Sequence, residues 1–412
     1  MSAVGRAAGP RTTPESALWV LMAAAFVDMM GFAMVFPLLP FYALRLGAQP
    51  WAIGMLVASF SVAQLAASPL WGRVSDRYGR RPVLLISLGG SAVAFVVFGF
   101  ANSLWLLFLS RIVQGLGGGT TGVIQAYVAD TTNPSQRAQG LGWLSAATSL
   151  GVMIGPAIGS TAAHLGPEAP GLIAAGLCVL NVLFAWRFLP ETSSPKGHKP
   201  RESIRSAVWH VLSNPTAPTP RLIWIYAVGM GAFTSLSAVL ALYLNSRFGI
   251  DATTIGWVFV YVGALSVVMR ALVLGWLVRR LGEVRVMRMG ALLLVAGLAL
   301  YPFPPTIWLL ALVIPLVPMG TALLFPSVTA LSSSAADPRA LGQTMGVQQA
   351  FGAVARIVAP LWATPAFQLL GRASPFFIAA LIMGLVNVMA WQVPRGADGR
   401  QPSAVRSARA DG

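Results

Sequence analysis

One carboxyl and one guanidinium stand inside the apolar stretches of the first half of the sequence. Asp28 lies in the stretch 17–43, and Arg111 lies in the stretch 104–129. If these stretches cross a bilayer, each charge opposes insertion by about 2.5–3.5 kcal/mol, which predicts that it has a function. A buried carboxyl can bind and release a proton, and a guanidinium can neutralise it once the proton has left. We therefore predict that the two residues couple proton movement to activity; the alternative is a static ion pair that fixes helix packing.

The second half holds two further arginines inside apolar stretches. Arg356 lies in the middle of 341–369, and no acidic residue occurs within any apolar stretch of the second half. It could bind an acidic group on a substrate, or it could bond to backbone carbonyls or a neighbouring glutamine. Arg270 lies nearer the end of 253–277, and its long side chain can reach the membrane surface. Other polar side chains could line a cavity or form hydrogen bonds between helices, namely Gln114, Gln125, Tyr127, Gln348 and Gln349.

The densest charge cluster of the chain is the short connection 72–81, which reads GRVSDRYGRR. Arginines beside a membrane oppose translocation of the loop that carries them, so this connection should lie in the cytoplasm. Its glycines allow the backbone to turn or to approach another helix closely. An orientation signal needs only the positive charges, and it explains neither Asp76 nor the spacing of the glycines. We therefore expect a second role for Gly72, Asp76, Arg77, Gly79, Arg80 and Arg81.

The elements that must position these groups are apolar helices. The chain has 412 residues, of which 56% are hydrophobic and 10% are charged, whereas a soluble protein carries about 25% charged residues. About 20 apolar residues cross a bilayer as a helix, because lipid offers the backbone no other partners. The first stretch is too long for a cleaved signal peptide. We predict an all-α membrane protein with twelve transmembrane helices, called spans 1 to 12 in chain order: 17–43, 51–71, 82–100, 104–129, 139–163, 169–189, 222–245, 253–277, 289–304, 306–332, 341–369 and 373–393.

The distribution of basic residues predicts how the spans are oriented. The net charge is +16, and most of the 28 lysines and arginines fall on the tails and on the connections after even-numbered spans. This asymmetry predicts that both termini lie in the cytoplasm, and it indicates contact with anionic membrane lipids and not with nucleic acid. The single cysteine and the three histidines lack metal-ligand spacing, and the sequence has no phosphate-binding loop. We expect neither a metal nor a cofactor.

The chain repeats one plan in two halves. Gly72, Arg77 and Gly79 recur as Gly275, Arg280 and Gly282, and Pro134, Gly142 and Pro156 recur as Pro338, Gly346 and Pro360. The offsets of the two sets are nearly equal, which makes chance a poor explanation. The polar segment between the halves includes 202–212, which could form a helix on the membrane surface. We predict a tail 1–16, a six-helix bundle 17–189, a linker 190–221, a second six-helix bundle 222–393 and a tail 394–412, which is a known plan of transporters.

Several motifs together resemble those of the major facilitator superfamily. Gly72-x-x-x-Asp76-Arg77-x-Gly79-Arg80-Arg81 matches without a gap the signature between helices 2 and 3 of that superfamily. Arg111-x-x-x-Gly115, followed by Tyr127 and Asp130, resembles the helix 4 motif of its proton-coupled members. Gly151-x-x-x-Gly155-Pro156-x-x-Gly159 resembles the helix 5 motif of antiporters, although Ser160 stands where a second glycine is usual. Asp28-x-x-Gly31 resembles helix 1 of the twelve-helix drug:proton antiporters.

The resemblance implies roles for these residues. Arg80 would bridge Asp76 and Asp130, with Asp76 near the positive N-terminal end of span 11, and these contacts would form a gate on the cytoplasmic side. Asp28 and Arg111 would serve proton coupling. Close packing and a hinge fit the helix 5 motif equally well, at Gly151, Gly155, Pro156 and Gly159.

The resemblance covers residues 15–393 and implies the major facilitator fold, with two pseudo-symmetric six-helix bundles. Within the superfamily the chain looks like the tetracycline exporters, through ADTT at 129–132, DATTIG at 251–256 and LGEVR at 281–285. Two groups that serve magnesium–tetracycline binding and proton coupling in those exporters are missing here: an acid of helix 3 is replaced by Ala94 or a close neighbour, and a histidine of helix 8 corresponds to about Ser266. Tetracycline itself is therefore not the predicted cargo.

These observations predict a monomeric secondary transporter in the bacterial cytoplasmic membrane. It would export an amphipathic small molecule by alternating access, driven by protons, with the substrate, protons and membrane lipids as its partners. A proton-coupled transporter of a sugar or another metabolite is the alternative. A membrane-embedded enzyme or receptor is the rival class, but no cluster of histidine, cysteine and acidic residues within the spans supports catalysis.

Overall fold

A computed structural model describes residues 14–132, 136–191, 204–337 and 340–393, and every regular element in these ranges is a helix. The predicted tail 394–412, residues 1–13 of the predicted tail 1–16, the middle of the predicted linker, and the repeat prolines Pro134 and Pro338 lie outside the described residues. The all-α fold class is confirmed. Each of the twelve predicted spans coincides with one helix or with consecutive helices.

The helices of the first half follow the predicted spans closely. Their bounds are Pro14–Val35, the 3-10 turn Phe36–Leu38, Leu39–Arg45, Pro50–Tyr78, Arg80–Gly99, Leu104–Gly118, Thr121–Thr131, Arg137–Ala163 and Ala169–Phe188. Span 4 is divided at Gly119 and Thr120 because glycines disfavour a helix, and because the Thr120 hydroxyl bonds to the Gly117 carbonyl at 3.2 Å.

The second half begins with a short helix, Ile204–Ser213, near the position predicted for a helix on the membrane surface. The bounds that follow are Pro218–Phe248, Ile255–Val268, the π-helical turn Met269–Val273, Leu274–Leu281, Glu283–Leu300, Ile307–Val313, Leu316–Ala335, Leu341–Leu369 and Ser374–Trp391. Span 9 begins earlier than predicted. Its first turns carry Glu283, Arg285 and Arg288, and the apolar pattern alone does not include them.

Ten helical segments among the described residues are long and apolar enough to cross a membrane. The two remaining spans fall short for separate reasons. Span 4 is interrupted by its glycines, and span 9 begins with charged side chains. Counted with these two, the described helices account for all twelve predicted spans.

The chain divides into two compact units. Unit 1 combines Met1–Ala48, Ser59–Gly197 and Asp251–Val260, and unit 2 combines Gln49–Ala58, His198–Ile250 and Tyr261–Gly412. The units therefore differ from the predicted bundles mainly by the first residues of spans 2 and 8. The start of span 2 belongs to unit 2 and the start of span 8 to unit 1 because a glycine in each lets its backbone approach another helix closely.

Gly54 and Gly256 make these approaches. Within unit 2, a Cβ added to Gly54 would lie 2.5 Å from the Pro360 carbonyl oxygen. Within unit 1, a Cβ added to Gly256 would lie 2.1 Å from the Pro156 carbonyl oxygen. The two contacts correspond to each other in the repeat, so a glycine packs against a proline carbonyl once in each unit.

Candidate functional site

The connection 72–81 forms a sharp turn between two helices of unit 1. Pro50–Tyr78 ends and Arg80–Gly99 begins on either side of Gly79, whose φ of 101° is a conformation that favours glycine. Gly72 lies inside the first helix, and no described atom is within 4 Å of the position that its Cβ would take. Gly79 thus forms the expected turn, whereas Gly72 makes no close approach to any described residue.

Arg80 is the centre of the charged contacts at this turn. Its Nη1 lies 2.6 Å from Asp76 Oδ1, and its Nε lies 3.4 Å from Asp130 Oδ2 at the end of span 4. The same Nη1 donates a hydrogen bond of 2.6 Å to the Ser75 hydroxyl. We call these four side chains the Arg80 network. The structure thus brings together the three charged residues that the resemblance grouped.

Glu191 is a functional candidate that the sequence reasoning missed. Its Oε1 accepts hydrogen bonds from the backbone N–H of Arg80 at 3.0 Å and of Arg81 at 3.5 Å. A carboxylate here satisfies free donors at the start of Arg80–Gly99 and meets the positive end of the helix dipole. Gly79 has no side chain that could cap this helix. A glycine at the start of a helix was the signal in the sequence that a distant acidic residue could bind the free N–H groups.

Two further arginines of the connection, Arg77 and Arg81, have separate partners. Arg81 donates a hydrogen bond to the carbonyl of Trp186 at the end of span 6. The Arg77 guanidinium lies over the Tyr78 ring, 5.3 Å from its centroid. Tyr127, for which either cavity lining or a hydrogen bond between helices was predicted, is buried and donates to the Pro190 carbonyl at 2.6 Å. The end of span 6 is therefore tied to the connection through Arg81 and to span 4 through Tyr127.

Asp28 is half-buried on span 1 and faces spans 3 and 6. The Ser91 hydroxyl donates a hydrogen bond to its carboxylate, and the Cys178 thiol lies close enough to interact with it electrostatically. One turn further along, the missing side chain of Gly31 leaves room for Phe95 and Cys178. The carboxyl is thus held by a hydroxyl, which can donate to the ionised form and accept from the protonated form.

Arg111 does not form the ion pair with Asp28 that the sequence suggested. Neither Asp28 nor Arg111 forms an ion pair within 4.0 Å with any described residue. Arg111 is only 1% exposed, and its guanidinium lies over the Phe98 ring at 5.6 Å. Its Nε and Nη2 have no hydrogen-bond partner among the described residues. Asp28 is therefore bound by the Ser91 hydroxyl, and Arg111 lies against the Phe98 ring, in place of the expected contact between the two charges.

The predicted glutamines differ in their surroundings. Gln348 is buried, and its Nε2 donates to the Thr329 hydroxyl at 3.0 Å, which is a hydrogen bond between spans 10 and 11. This matches the alternative of helix–helix bonding and not the lining of a cavity. Gln114 is also buried, and its Oε1 has no partner among the described residues. Gln125 and Gln349 are exposed.

The helix 5 motif packs span 5 directly on span 1. Added Cβ atoms at its three glycines would lie 2.4, 2.5 and 2.3 Å from carbonyl oxygens of span 1, at Gly151, Gly155 and Gly159. Any side chain at these positions would separate the two backbones. The structure thus uses the glycines for close packing, one of the two roles that the sequence left open.

Comparison with known proteins identifies the class of molecule that carries this site. A sequence model of the Major Facilitator Superfamily matches residues 21–360 and 225–407. The chain belongs to the Major Facilitator Superfamily. It is a multi-pass membrane transporter and not an enzyme, as the sequence predicted.

Individual relatives agree with this assignment. The chain is 28% identical to the tetracycline resistance protein, class B, of Escherichia coli, over 84% of this chain and 87% of that protein. It is 27% identical to multidrug resistance protein 1 of Bacillus subtilis, over 92% and 96% of the two chains. The crystal structure of the human organic anion transporter MFSD10 matches with a TM-score of 0.69 and 26% identity, over 93% of this chain and all of that one. The nucleoside transporter NupG matches in fold, with a TM-score of 0.77 and 14% identity, over 92% and 99% of the chains.

Proposed function

We propose that this protein exports an amphipathic small molecule from the bacterial cytoplasm in exchange for protons. The observation that carries the proposal is Asp28, the one acidic residue deep within a predicted span. Its carboxylate is bound by the Ser91 hydroxyl and has no ion-pair partner within 4.0 Å among the described residues. A half-buried carboxyl without a fixed counter-charge can change its protonation state at a moderate free-energy cost, as a proton carrier must. Relatives that are named for resistance to tetracycline and to multiple drugs support export.

The Arg80 network supplies a second element of the proposed cycle. Arg80 holds Asp76 and Asp130 at the predicted cytoplasmic end of unit 1, and these contacts are partly exposed to solvent. Charged contacts of this kind can form and break without a large desolvation cost. We propose that the network forms in one state of the transport cycle and breaks in the other, with both termini in the cytoplasm.

Transport by purified protein in liposomes tests the proposal. The wild-type protein should exchange labelled for unlabelled compound, and a pH gradient should drive accumulation. Asp28→Asn should retain exchange and lose the response to the pH gradient. Glu168→Gln, which removes an acid from a connection of the same half, is the control and should behave as wild type. An undiminished pH response in Asp28→Asn would refute proton coupling through this residue.

The relatives are named for different compounds. Two name drug or tetracycline resistance, and one names organic anions.

A further inference from the structure

Tyr226 of span 7 lies where several helices of unit 2 meet. It is 7% exposed, and its ring meets the Phe325 ring of span 10 edge to face, with centroids 5.4 Å apart. On its other side lies Gly352 of span 11, where an added Cβ would be 2.7 Å from Tyr226 Cε1. The glycine therefore makes the space that the ring occupies. The Tyr226 hydroxyl makes no hydrogen bond to any described residue, and it is therefore an unused donor and acceptor within unit 2.

Two arginines approach the same tyrosine from different helices. Arg356 follows Gly352 by one helical turn and thus lies on the same face of span 11. Arg270 belongs to the π-helical turn Met269–Val273 of span 8, an irregularity that is frequent at functional sites. Both guanidinium groups are close enough to the Tyr226 hydroxyl to interact with it electrostatically. Hydrogen-bond donors of spans 8 and 11 thus lie within electrostatic range of the Tyr226 side chain of span 7.

These arginines lack the partners that other arginines of unit 2 possess. Arg288 donates to the carbonyls of Ala390, Trp391 and Val393 at 3.1, 3.0 and 2.6 Å, and it thereby caps the last span. Neither Arg270 nor Arg356 has a hydrogen bond or an ion pair within the described parts of the chain. Arg288 thus bonds to backbone carbonyls and caps a helix, whereas Arg270 and Arg356 do neither.

The charges near Tyr226 are also unbalanced. The acidic residues between 222 and 393 are Asp251, Glu283 and Asp337, and all three lie at or outside the ends of spans. Arg356 is about 20 Å from each end of its helix, at a rise of 1.5 Å per residue. A cation at that depth needs a counter-charge or water, because an apolar environment disfavours an isolated charge. An anion that enters with the cargo would supply this counter-charge.

We propose that Arg356, Arg270 and Tyr226 bind an anionic group of the cargo, such as a carboxylate or a sulfonate. The inference rests on the proposed transport function and specifies its substrate class as amphipathic organic anions. Arginine suits this task because its planar fork donates two parallel hydrogen bonds to one carboxylate. The cargo and the proton then use different residues, since an anion gains nothing from the Asp28 carboxylate.

Equilibrium binding to the full chain in lipid nanodiscs tests this site. Fluorescein and rhodamine 123 share a xanthene framework, but near pH 8 the first is an anion and the second a cation, and fluorescence polarisation reports both. Wild-type protein should bind fluorescein in preference. Arg356→Gln and Arg270→Gln should each weaken fluorescein binding about 10- to 100-fold, as expected for a lost charge-assisted hydrogen bond. Tyr226→Phe should weaken it about threefold to tenfold, because only one neutral donor is lost.

Two controls separate binding from folding. Arg285→Gln removes an exposed arginine of span 9 and should leave fluorescein binding unchanged. Arg356→Lys keeps the charge without the fork and should fall between wild type and Arg356→Gln. Variants that have lost fluorescein should still elute as a single species in size-exclusion chromatography, with rhodamine 123 binding no weaker than in wild type.

The inference is overturned if fluorescein shows no saturable binding, if wild type prefers rhodamine 123, or if both glutamine variants retain wild-type affinity for fluorescein. None of these results would affect a pH response that depends on Asp28. Conversely, a normal pH response in Asp28→Asn would refute the proposed proton coupling. It would leave the fluorescein measurements intact, because they are made without a pH gradient.

Discussion

The two copies of the charged connection carry the same glycine turn with opposite charges around it. In the first copy, Asp76 precedes the turn and Arg80 follows it; in the second, Arg279 precedes it and Glu283 follows it. Gly79 and its counterpart Gly282 have φ values of 101° and 82°. The backbone is thus conserved between the copies, while the charges are exchanged.

Helix dipoles show what this exchange means. A cation favours the last turn of a helix and an anion the first, each by about 0.3–1 kcal/mol. Arg279 and Glu283 follow this rule, whereas Asp76 and Arg80 both oppose it. The first copy therefore depends on two distant acids. Asp130 pairs with Arg80, and Glu191 places a negative charge at the start of the helix Arg80–Gly99. Residues that break a local rule and depend on distant partners mark a functional site more often than a structural one.

The largest expected effect on transport comes from removing the negative charge of Asp76, which opposes the dipole of the helix Pro50–Tyr78. Asp76→Asn should reduce transport at least about tenfold, equivalent to about 1.4 kcal/mol, because Arg80 loses one of its two carboxylate partners. Arg279→Gln at the matching position should change transport by less than about twofold. Initial transport rates in proteoliposomes with equal protein content measure both. Equal losses in the two variants would mean that the copies do not differ in function.

A second test compares the two turn glycines. Gly79→Ala and Gly282→Ala each force alanine into a conformation with positive φ and ψ near 160°, which is essentially restricted to glycine and costs about 1–3 kcal/mol. At Gly79 the new Cβ would also lie 2.7 Å from the Glu191 carboxyl carbon and would displace it. The thermal unfolding midpoint in one detergent should therefore fall further for Gly79→Ala. A larger fall for Gly282→Ala would contradict the role given to Glu191.

Glu191→Gln should have a smaller effect, about 0.5–1 kcal/mol, because the amide oxygen can still accept a hydrogen bond while the charge at the helix start is lost. Its effect should nearly vanish in the Gly79→Ala background, where the carboxylate is already displaced. A double-mutant cycle on unfolding midpoints measures this coupling. Additive effects would show that Gly79 and Glu191 act independently.

The smallest effect concerns the starts of spans 2 and 8. Asp251 accepts hydrogen bonds from the hydroxyls of Thr253 and Thr254 and from their backbone N–H groups, and these bonds hold the pKa of its carboxyl below the ordinary 3.8. Its stabilising contribution is present above pH 4 and is lost as the pH falls through the lowered pKa. Gln49, in the matching place of the first half, has no such charge. Asp251→Asn should therefore flatten the decline of the unfolding midpoint below pH 4, and Gln49→Ala should not alter that decline.

The sequence predicted most of the helices and the charged turn because both depend on local pattern. Span length follows from continuous apolar residues, and the turn follows from Gly79 between two charged groups. Contacts distant along the chain were the ones missed. Glu191 meets Arg80 across more than a hundred residues, and Tyr226 resembles an ordinary core aromatic until Gly352 and Arg356 are placed beside it.

The Asp28–Arg111 ion pair is absent from the structure for a related reason. Opposite charges in neighbouring spans suggest a bond, but the direction of each side chain is set by the packing of its whole helix. Ser91 and Phe98, on span 3, meet the two charges separately. Neither residue type reveals such a role in a sequence.

The glycine contact between spans 1 and 5 has a practical consequence. With no side chain between the two backbones, a displacement of span 1 on protonation of Asp28 must carry span 5 with it. Trp143, 52% exposed on span 5, would then change its surroundings although it is far along the chain from the carboxyl. The intrinsic fluorescence of this tryptophan, with the remaining tryptophans replaced, could follow the protonation of Asp28 without any attached label.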